Sequence, residues 1–507
     1  MYAAQHAINQ PDKPAIIMAG GGEVVTFAQF EALANRIAHL FRSTGLARLD
    51  HVAFFMENTP WLLECEAGAE RSGLYYTLIN SHLTAPEAAY IVDDCEARVV
   101  ITTAAMLDVA ADLVAACPRV ARWLVAGAQD PPAPFERLED AIAGMDDTAI
   151  SDERLGVALL YSSGTTGRPK GVLRPLPDVH PAEPVPVMEF AARLFRQRPG
   201  MVYLSPAPLY HSAPQVSIAG TLRIGGTSIV MERFDAREYL RLIAHHGVTH
   251  TQVVPTMFSR LLKLPADVRE TADLSSLESV THGAAACPVP VKEQMIGWWG
   301  PIFHEYYSAT EGHGFTICDS HEWQDRKGTV GKAVLGELLI VDDDGNECPP
   351  NRPGLIYFRG ATNFEYFKDP EKTAESRDPS GTASTVGDVG HVDGEGYLYL
   401  TDRKINMIVS GGVNIYPQET EDLLITHPKV LDAAVIGVPD DDLGEVVKAI
   451  VQPVGGIEPD EDLAMELIAF CREHLARYKC PRSIGFEAEL PRQATGKLHK
   501  RLLRERH

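Results

Sequence analysis

The sequence predicts an α/β fold in two parts: a large N-terminal unit built on a mainly parallel sheet, and a smaller α+β unit after residue 402. Three observations predict it. Helical and strand periods alternate through residues 1–110 and resume after Tyr203, and such a βαβα rhythm means strands covered by helices. The chain has 507 residues, 45% of them apolar and 23% charged, which suffices for a large core without disulfide or metal staples. Beyond a Gly394-Glu395-Gly396 turn, short strands and helices follow a rhythm of their own.

Each element has a local reason. Thr26-Phe27-Ala28-Gln29 reads as a capping box. Behind it Phe30, Leu33, Ala34, Ile37, Leu40 and Phe41 share one helical face, and Gly45 ends the run. Val52 to Met56 is a short buried strand, Trp61 to Ser72 a helix, Leu74 to Leu78 a strand and Arg98 to Thr102 another. Arg174 to Pro186 carries five prolines, at 175, 177, 181, 184 and 186, and must be a loop. Arg237 to His246 is a helix and Thr249 to Val254 a strand. Tyr397 to Thr401 is a strand, Pro417 to His427 a helix, Val430 to Val438 and Val446 to Val451 strands, and Asp460 to Leu475 a helix. The domain boundary is placed at Asp402 to Ile405, giving domains 1–402 and 403–507.

Composition excludes several functions. The formal charge is −23. A nucleic-acid binder needs a basic surface to displace counterions from phosphates, so no nucleic-acid partner is expected, nor docking on anionic lipid. The eight cysteines are scattered without a C-x-x-C pair, so they read as buried free thiols. No basic and apolar leader opens the chain, and no apolar run reaches the ~18 residues of a membrane span. A cytoplasmic protein with no integral membrane segment is expected.

The strongest chemical signal is Tyr161-Ser162-Ser163-Gly164-Thr165-Thr166-Gly167-Arg168-Pro169-Lys170-Gly171-Val172, which follows the apolar strand Val157 to Leu160. Its glycines let main-chain N–H groups approach an anion. Four hydroxyls add donors and Lys170 adds charge. These are parts for gripping a polyphosphate, without the G-K-[ST] ending of a Walker A loop.

This stretch resembles the phosphate loop of the adenylate-forming superfamily, which contains acyl- and aryl-CoA synthetases, luciferases and adenylation domains of peptide synthetases. Further stretches resemble the family's motifs in its order, over nearly the whole chain. The resemblance implies stacked mixed sheets and helices in the N-terminal domain, and a mobile C-terminal lid. It implies binding of ATP by Ser162, Ser163, Gly164, Thr165, Thr166, Gly167 and Lys170. Pro208-Leu209-Tyr210-His211 resembles the motif whose His211 borders the acyl site; Ser212 to Gln215, Thr281-His282 and Tyr306-Tyr307-Ser308 would continue that wall. His245, His246 and His250 look metal-like but straddle a helix-to-strand junction and read as structural.

Gly283, Ala284 and Ala285 resemble the small-residue strand end that lies against adenine. In Tyr307-Ser308-Ala309-Thr310-Glu311, the resemblance implies that Tyr307 stacks on adenine, Thr310 bonds the α-phosphate and Glu311 holds Mg²⁺. Ser308 stands where glycine is common and would narrow the acyl tunnel. Asp388, in Val386-Gly387-Asp388, would accept the ribose hydroxyls, and Arg403 would contact the same ribose or the phosphates. Gly411 and Gly412 resemble the loop that passes the pantetheine arm of coenzyme A, and Arg477-Tyr478-Lys479 a stretch that touches its nucleotide. Lys497, in Pro491-Arg492-Gln493-Ala494-Thr495-Gly496-Lys497, would bridge the substrate carboxylate and the α-phosphate. Relatives carry a polar hinge residue where Ile405 stands here, with Lys404 as its neighbour.

The activity implied is an ATP-dependent carboxylic acid–CoA ligase acting on a small-molecule carboxylic acid. A medium or long fatty acid is favoured, with a bulky aryl-alkanoic or sterol side-chain monoacid close behind. The alternatives are loading of a separate carrier protein, a nucleotide-binding regulator without turnover, and a luciferase-like oxidase. The resemblance carries a homodimer as its expectation for oligomeric state.

Overall fold

The computed structural model describes residues 1–162, 168–361, 364–492 and 498–507, with every side chain among them except that of Val187. Ser163, Gly164, Thr165, Thr166, Gly167 and Lys497 lie outside the described residues. The chain forms two compact units. The first takes Met1–Gln252, Asp273–Val280 and Asn363–Thr373; the second takes Val253–Ala272, Thr281–Thr362 and Ala374–His507.

The first unit contains a six-stranded parallel sheet in the order Phe135–Arg137, Arg122–Ala126, Val99–Thr103, His51–Phe55, Tyr75–Ile79, Val157–Ala158. Every residue of Val99–Thr103 and Tyr75–Ile79 is buried. That is the signature of strands with helices on both faces, and it explains why these runs are apolar without alternation. Thr26 caps the Phe27–Ser43 helix: its hydroxyl accepts from the Gln29 N–H at 3.3 Å and the Gln29 side chain accepts from the Thr26 N–H at 2.9 Å. Phe30, Ala34, Ile37, Leu40 and Phe41 of that helix are buried as the periodicity requires, while Leu33 is only half-buried.

The Pro60–Arg71 helix is buried at every residue but Trp61, including Glu64, Glu66, Glu70 and Arg71. The Arg71 guanidinium pairs with Glu31 at 2.7 Å. Glu66 accepts from the Tyr76 hydroxyl and from the Gln215 amide. Burial pushes Glu64 and Glu66 up to about 8, so both are protonated at neutral pH.

A second run of parallel strands in this unit places Pro14–Met18, Thr227–Val230, Val202–Ser205 and His250–Val253 side by side, with Val24–Thr26 antiparallel at the edge. A small antiparallel sheet joins Leu160–Ser162, Lys170–Leu173 and Glu365–Tyr366. Residues 174–185 contain neither helix nor strand, as the prolines demand, and Pro186 opens the Pro186–Leu194 helix.

In the second unit, Phe303–Tyr307, Phe315–Asp319 and Lys332–Leu335 form an antiparallel meander. A five-stranded antiparallel sheet follows, with Glu337–Val341, Gly354–Arg359, Asp388–Val392 and Leu398–Arg403 in order and Ala383–Ser384 at its side. The C-terminal part has its own sheet around the long pair Val430–Asp440 and Gly444–Pro453. Its core packs Ile408, Ile415, Leu424, Val435, Ala449 and Leu467. The helices there are Gln418–Leu424 and Glu461–His474, the first ending three residues before the expected His427. All eight cysteines are free and buried. Among the described residues no helix is long and apolar enough to cross a membrane.

Candidate active site

In the first unit, Ser162 and Lys170 face each other across the antiparallel pair Leu160–Ser162 and Lys170–Leu173. The strands thereby hold both ends of the segment that carries Ser163 to Gly167. The Lys170 ammonium is hydrogen-bonded to Asp369, and that bond raises its pKa. Tyr161 donates to Asp94 at 2.5 Å, and Tyr90 donates to the Pro169 carbonyl at 3.3 Å. Arg168 lies over the Tyr90 ring at 5.2 Å. The two strands that flank residues 163–167 are thus tied down on both sides. Asp369 and Asp94 lie far from the motif in sequence, so no local signal marks them.

His211 immediately precedes the Ser212–Arg223 helix, with its ring 4.4 Å from that of Tyr210. The stretch leading to it is held by Asn58, which sequence reasoning missed. The buried Asn58 amide donates to the carbonyls of Ala207 at 3.2 Å and Met231 at 2.8 Å, and accepts from the Leu209 N–H at 2.9 Å. His250 is structural, as expected: its Nε2 lies 3.0 Å from the Arg196 carbonyl and its Nδ1 2.8 Å from Thr249 Oγ1. His245 and His246 contact each other at the end of the Ala236–His246 helix. Among the described residues no group of three or more His, Cys, Asp or Glu could hold a metal ion by itself. That is compatible with Mg²⁺, which is commonly held by one or two carboxylates together with substrate phosphates.

The second unit brings Tyr307, Asp388 and Arg403 together. The Tyr307 hydroxyl donates to Asp388 Oδ2 at 2.8 Å, and Arg403 Nε lies 2.9 Å from Asp388 Oδ1. Asp388 and Arg403 are cross-strand partners in the same sheet, which fixes the pair. Burial, with the Asp388 carboxylate beside it, pushes the Tyr307 hydroxyl well above its ordinary range, so it stays a donor. The Tyr307 ring stacks on Phe358 at 6.3 Å, and His313 meets it edge-on at 6.2 Å. Each Asp388 oxygen has further acceptor capacity, the property needed to receive a vicinal diol.

Gly283 is buried, and a Cβ there would lie 2.9 Å from both the ring and the carbonyl oxygen of Tyr306, so a glycine is required. Ala284 and Ala285 are exposed, and Ala284 has φ of 67°, a conformation an L-residue rarely adopts. Glu311 is buried and Thr310 half-buried in the loop that follows Tyr307. Ser308 donates to the Gly314 carbonyl at 2.8 Å and so closes that loop. One expectation needs correction. His282 does not line an open wall: it is wholly buried, packed against Phe258 at 5.2 Å and Phe303 at 6.5 Å.

Gly411 and Gly412 form the two-residue tip of the Ile408–Ser410 and Val413–Ile415 hairpin, with φ of 56° and 79°. Both residues of such a tight turn need positive φ. Asp402 accepts from Asn406 at 3.0 Å and from the Gln418 N–H at 3.1 Å. Lys404 donates to Asp343 at 2.7 Å, whereas Ile405 is 47% exposed and supplies no polar contact there. The residues around the Lys497 segment are firmly held. Arg492 donates to Asp432 at 2.7 Å, Lys500 pairs with Glu421 at 2.8 Å, and the His499 N–H donates to the Pro491 carbonyl at 2.8 Å. Lys479 is paired with Glu419, and Tyr478 is exposed.

Asp388→Asn keeps the side-chain shape and removes the charge facing Arg403. The KM for ATP should rise about tenfold, the worth of one charged hydrogen bond, with the KM for the acid unchanged; initial-rate kinetics check this.

Comparisons with known proteins show the family. The model of the AMP-binding enzyme family matches residues 3–367, and that of the AMP-binding enzyme C-terminal domain matches residues 419–497. The chain is 32% identical to the long-chain-fatty-acid–CoA ligase FadD13 of Mycobacterium tuberculosis, over 95% of this chain and 93% of that protein. It is 33% identical to the feruloyl-CoA synthase of an Amycolatopsis species, over 96% and 94%. The crystal structure of ATP-bound MatB from Rhodopseudomonas palustris superimposes with a TM-score of 0.82 at 29% identity, covering 100% of this chain and 99% of that one. With both family regions matched and the motifs in order, the chain belongs to the AMP-binding enzymes of the adenylate-forming superfamily and is an AMP-forming acid–thiol ligase.

Proposed function

We propose that this enzyme joins an apolar monocarboxylic acid to coenzyme A. In the first step a carboxylate oxygen attacks the α-phosphorus of ATP, an acyl-adenylate forms and pyrophosphate leaves. In the second the CoA sulfur attacks the acyl carbon, the thioester forms and AMP leaves with the bonding electron pair. The observation that carries the nucleotide half of this reading is the Tyr307–Asp388–Arg403 constellation, a fixed carboxylate with spare lone pairs beside an aromatic ring.

The roles follow from chemistry. Tyr307 offers its ring to adenine, Asp388 accepts the ribose hydroxyls, and Arg403, 2.9 Å from Asp388, contacts the same ribose or the phosphates. Ser162 to Gly167 and Lys170 receive the β- and γ-phosphates. Thr310 donates to the α-phosphate. Glu311 supplies a hard oxygen for Mg²⁺, which neutralises triphosphate charge when bound. Lys497 brings the two anions together. His211 borders the acid, and Gly411-Gly412 let the pantetheine arm pass. No side chain forms a covalent intermediate, so catalysis is positioning and charge neutralisation. Domain 403–507 turns between the steps about Asp402 to Ile405, in the manner of a lid.

For the acid, a medium or long fatty acid or a bulky aryl-alkanoic or sterol side-chain acid is favoured. Long-chain fatty acid and ferulate are the acids named for the two relatives. Loading of a separate carrier protein is the second reading. A mixed panel of carboxylic acids with MgATP and CoA, followed by mass spectrometry, tests the substrate class. A dominant acyl-CoA from an apolar monoacid is expected; preference for a dicarboxylate would contradict it.

A further inference from the structure

A buried charge cluster lies directly behind the strand ends that carry Gly283 and Tyr307. Lys292, on the Val289–Trp299 helix, is wholly buried. Its ammonium is 2.6 Å from Glu305 Oε2 and 4.7 Å above the Trp323 ring. Glu305, also buried, sits in the Phe303–Tyr307 strand two residues before Tyr307. His282, the residue before Gly283, brings its Nε2 to 3.9 Å from the same carboxylate oxygen. Neither ring nitrogen of His282 has a hydrogen-bond partner among the described residues. The Glu305 carboxylate, itself on the Phe303–Tyr307 strand, thus pairs with the helix behind it through Lys292 and packs, without a hydrogen bond, beside His282 of the neighbouring strand end.

Such a cluster is a poor way to gain stability. Taking two charges out of water costs more than an apolar pair of the same size, and the gain comes only when both partners are held in register. The geometry next to it needs that register. The Gly283 backbone rests on Tyr306 with no room for a Cβ, and Ala284 is held at positive φ. Strained backbone persists only where its surroundings over-determine it. Neither feature would survive a small slide of one strand end past the other.

We propose that Lys292, Glu305 and His282 are positioning residues that lock the Gly283–Ala285 and Tyr306–Tyr307 strand ends into the register that receives adenine. This rests on the reading of those residues as the nucleotide edge. Lys292 and Glu305 touch no substrate; they act through the backbone of Gly283 and the ring of Tyr307. Their loss should weaken ATP binding while leaving the acid and CoA sites as they were.

The test compares Glu305→Gln, which keeps the shape, with the double variant Lys292→Met/Glu305→Leu, which replaces the ion pair by apolar groups. Readouts are the thermal transition, ATP affinity by calorimetry, and KM for ATP, acid and CoA. The expected result is at least a fivefold loss of ATP affinity and rise in its KM. The acid and CoA KM values and kcat at saturating ATP should stay within twofold. ATP affinity within twofold of wild type in a folded variant would overturn the proposal, as would a uniform decline of every parameter. Tyr307→Ala separates the two layers. If it weakens ATP binding and the cluster variants do not, only the positioning role fails. If Tyr307→Ala also leaves ATP binding unchanged, the nucleotide-edge reading itself fails.

Discussion

Lys497→Ala should slow the first half-reaction by about 10²–10³, or roughly 3–4 kcal/mol of transition-state stabilisation, the size of a lost oxyanion donor. A carboxylate and a polyphosphate repel each other, and the barrier to adenylation includes bringing them to bonding distance. A cation between them lowers that cost only where both anions are present, which is the first step. Among the described residues on either side, Arg492 is anchored on Asp432, Lys500 on Glu421 and His499 on the Pro491 carbonyl. Pyrophosphate release measures the first step. Thioester formation from synthetic acyl-adenylate measures the second, and it should keep its rate in this variant. Equal slowing of both steps would mean that Lys497 does not act on the pair of anions.

Gly331→Ala should be the most damaging substitution for the fold. Gly331 has φ of 91°, and a Cβ there would lie 1.9 Å from the Ile317 carbonyl oxygen and 2.0 Å from its carbon. Both neighbours are backbone, so no side chain can swing away. The conformation alone costs of order 1–3 kcal/mol for a residue with a Cβ, and the collision adds a similar amount through forced backbone movement. The chain at Gly331 also accepts from the Leu398 N–H at 2.9 Å, so movement there would disturb a second strand. Loss of most folded protein, or a thermal transition many degrees lower, is expected. Gly297→Ala is the control: it lies in the Val289–Trp299 helix, and its Cβ would meet nothing within 4 Å. It should be neutral or stabilising by up to about 1 kcal/mol.

Much of the fold was legible because its signals are local. The Thr26 capping box, the five prolines between 174 and 186, and the apolar runs at 51–55 and 99–103 each depend on neighbours in sequence. The Pro60–Arg71 helix, buried at every residue but Trp61, was legible as a helix but not as a buried one. Its carboxyls are charged in water, and distant groups meet them only in the fold: Tyr76 and Gln215 bond Glu66, and the Met1 ammonium and Arg223 pair with Glu70. The Ala85–Asp94 helix and the Arg122–Ala126 strand were not read at all, although Thr84 and Glu87 form a capping box for the first.

The same division runs through the site. Tyr307, Asp388 and Arg403 were named from short motifs, and the structure joins them. The groups that hold such motifs in place were not legible: Asn58 for the stretch before His211, Asp369 for Lys170, and Glu305 for Lys292. Each is a single polar residue that gains meaning only when a distant segment packs on it. His282 shows the converse. A histidine next to a motif reads as lining the acyl site in sequence, yet here it is packed wholly inside the core.

The most direct test of the acid–CoA ligase reading is a single-turnover experiment with the preferred acid and MgATP, quantifying acyl-adenylate, pyrophosphate, acyl-CoA and AMP by mass spectrometry. Without CoA, acyl-adenylate and pyrophosphate should appear in equal amounts and no thioester should form. Addition of CoA should then convert the adenylate to equal amounts of acyl-CoA and AMP. Acyl-adenylate that persists in the presence of CoA would contradict the assignment and leave a carrier protein as the acceptor.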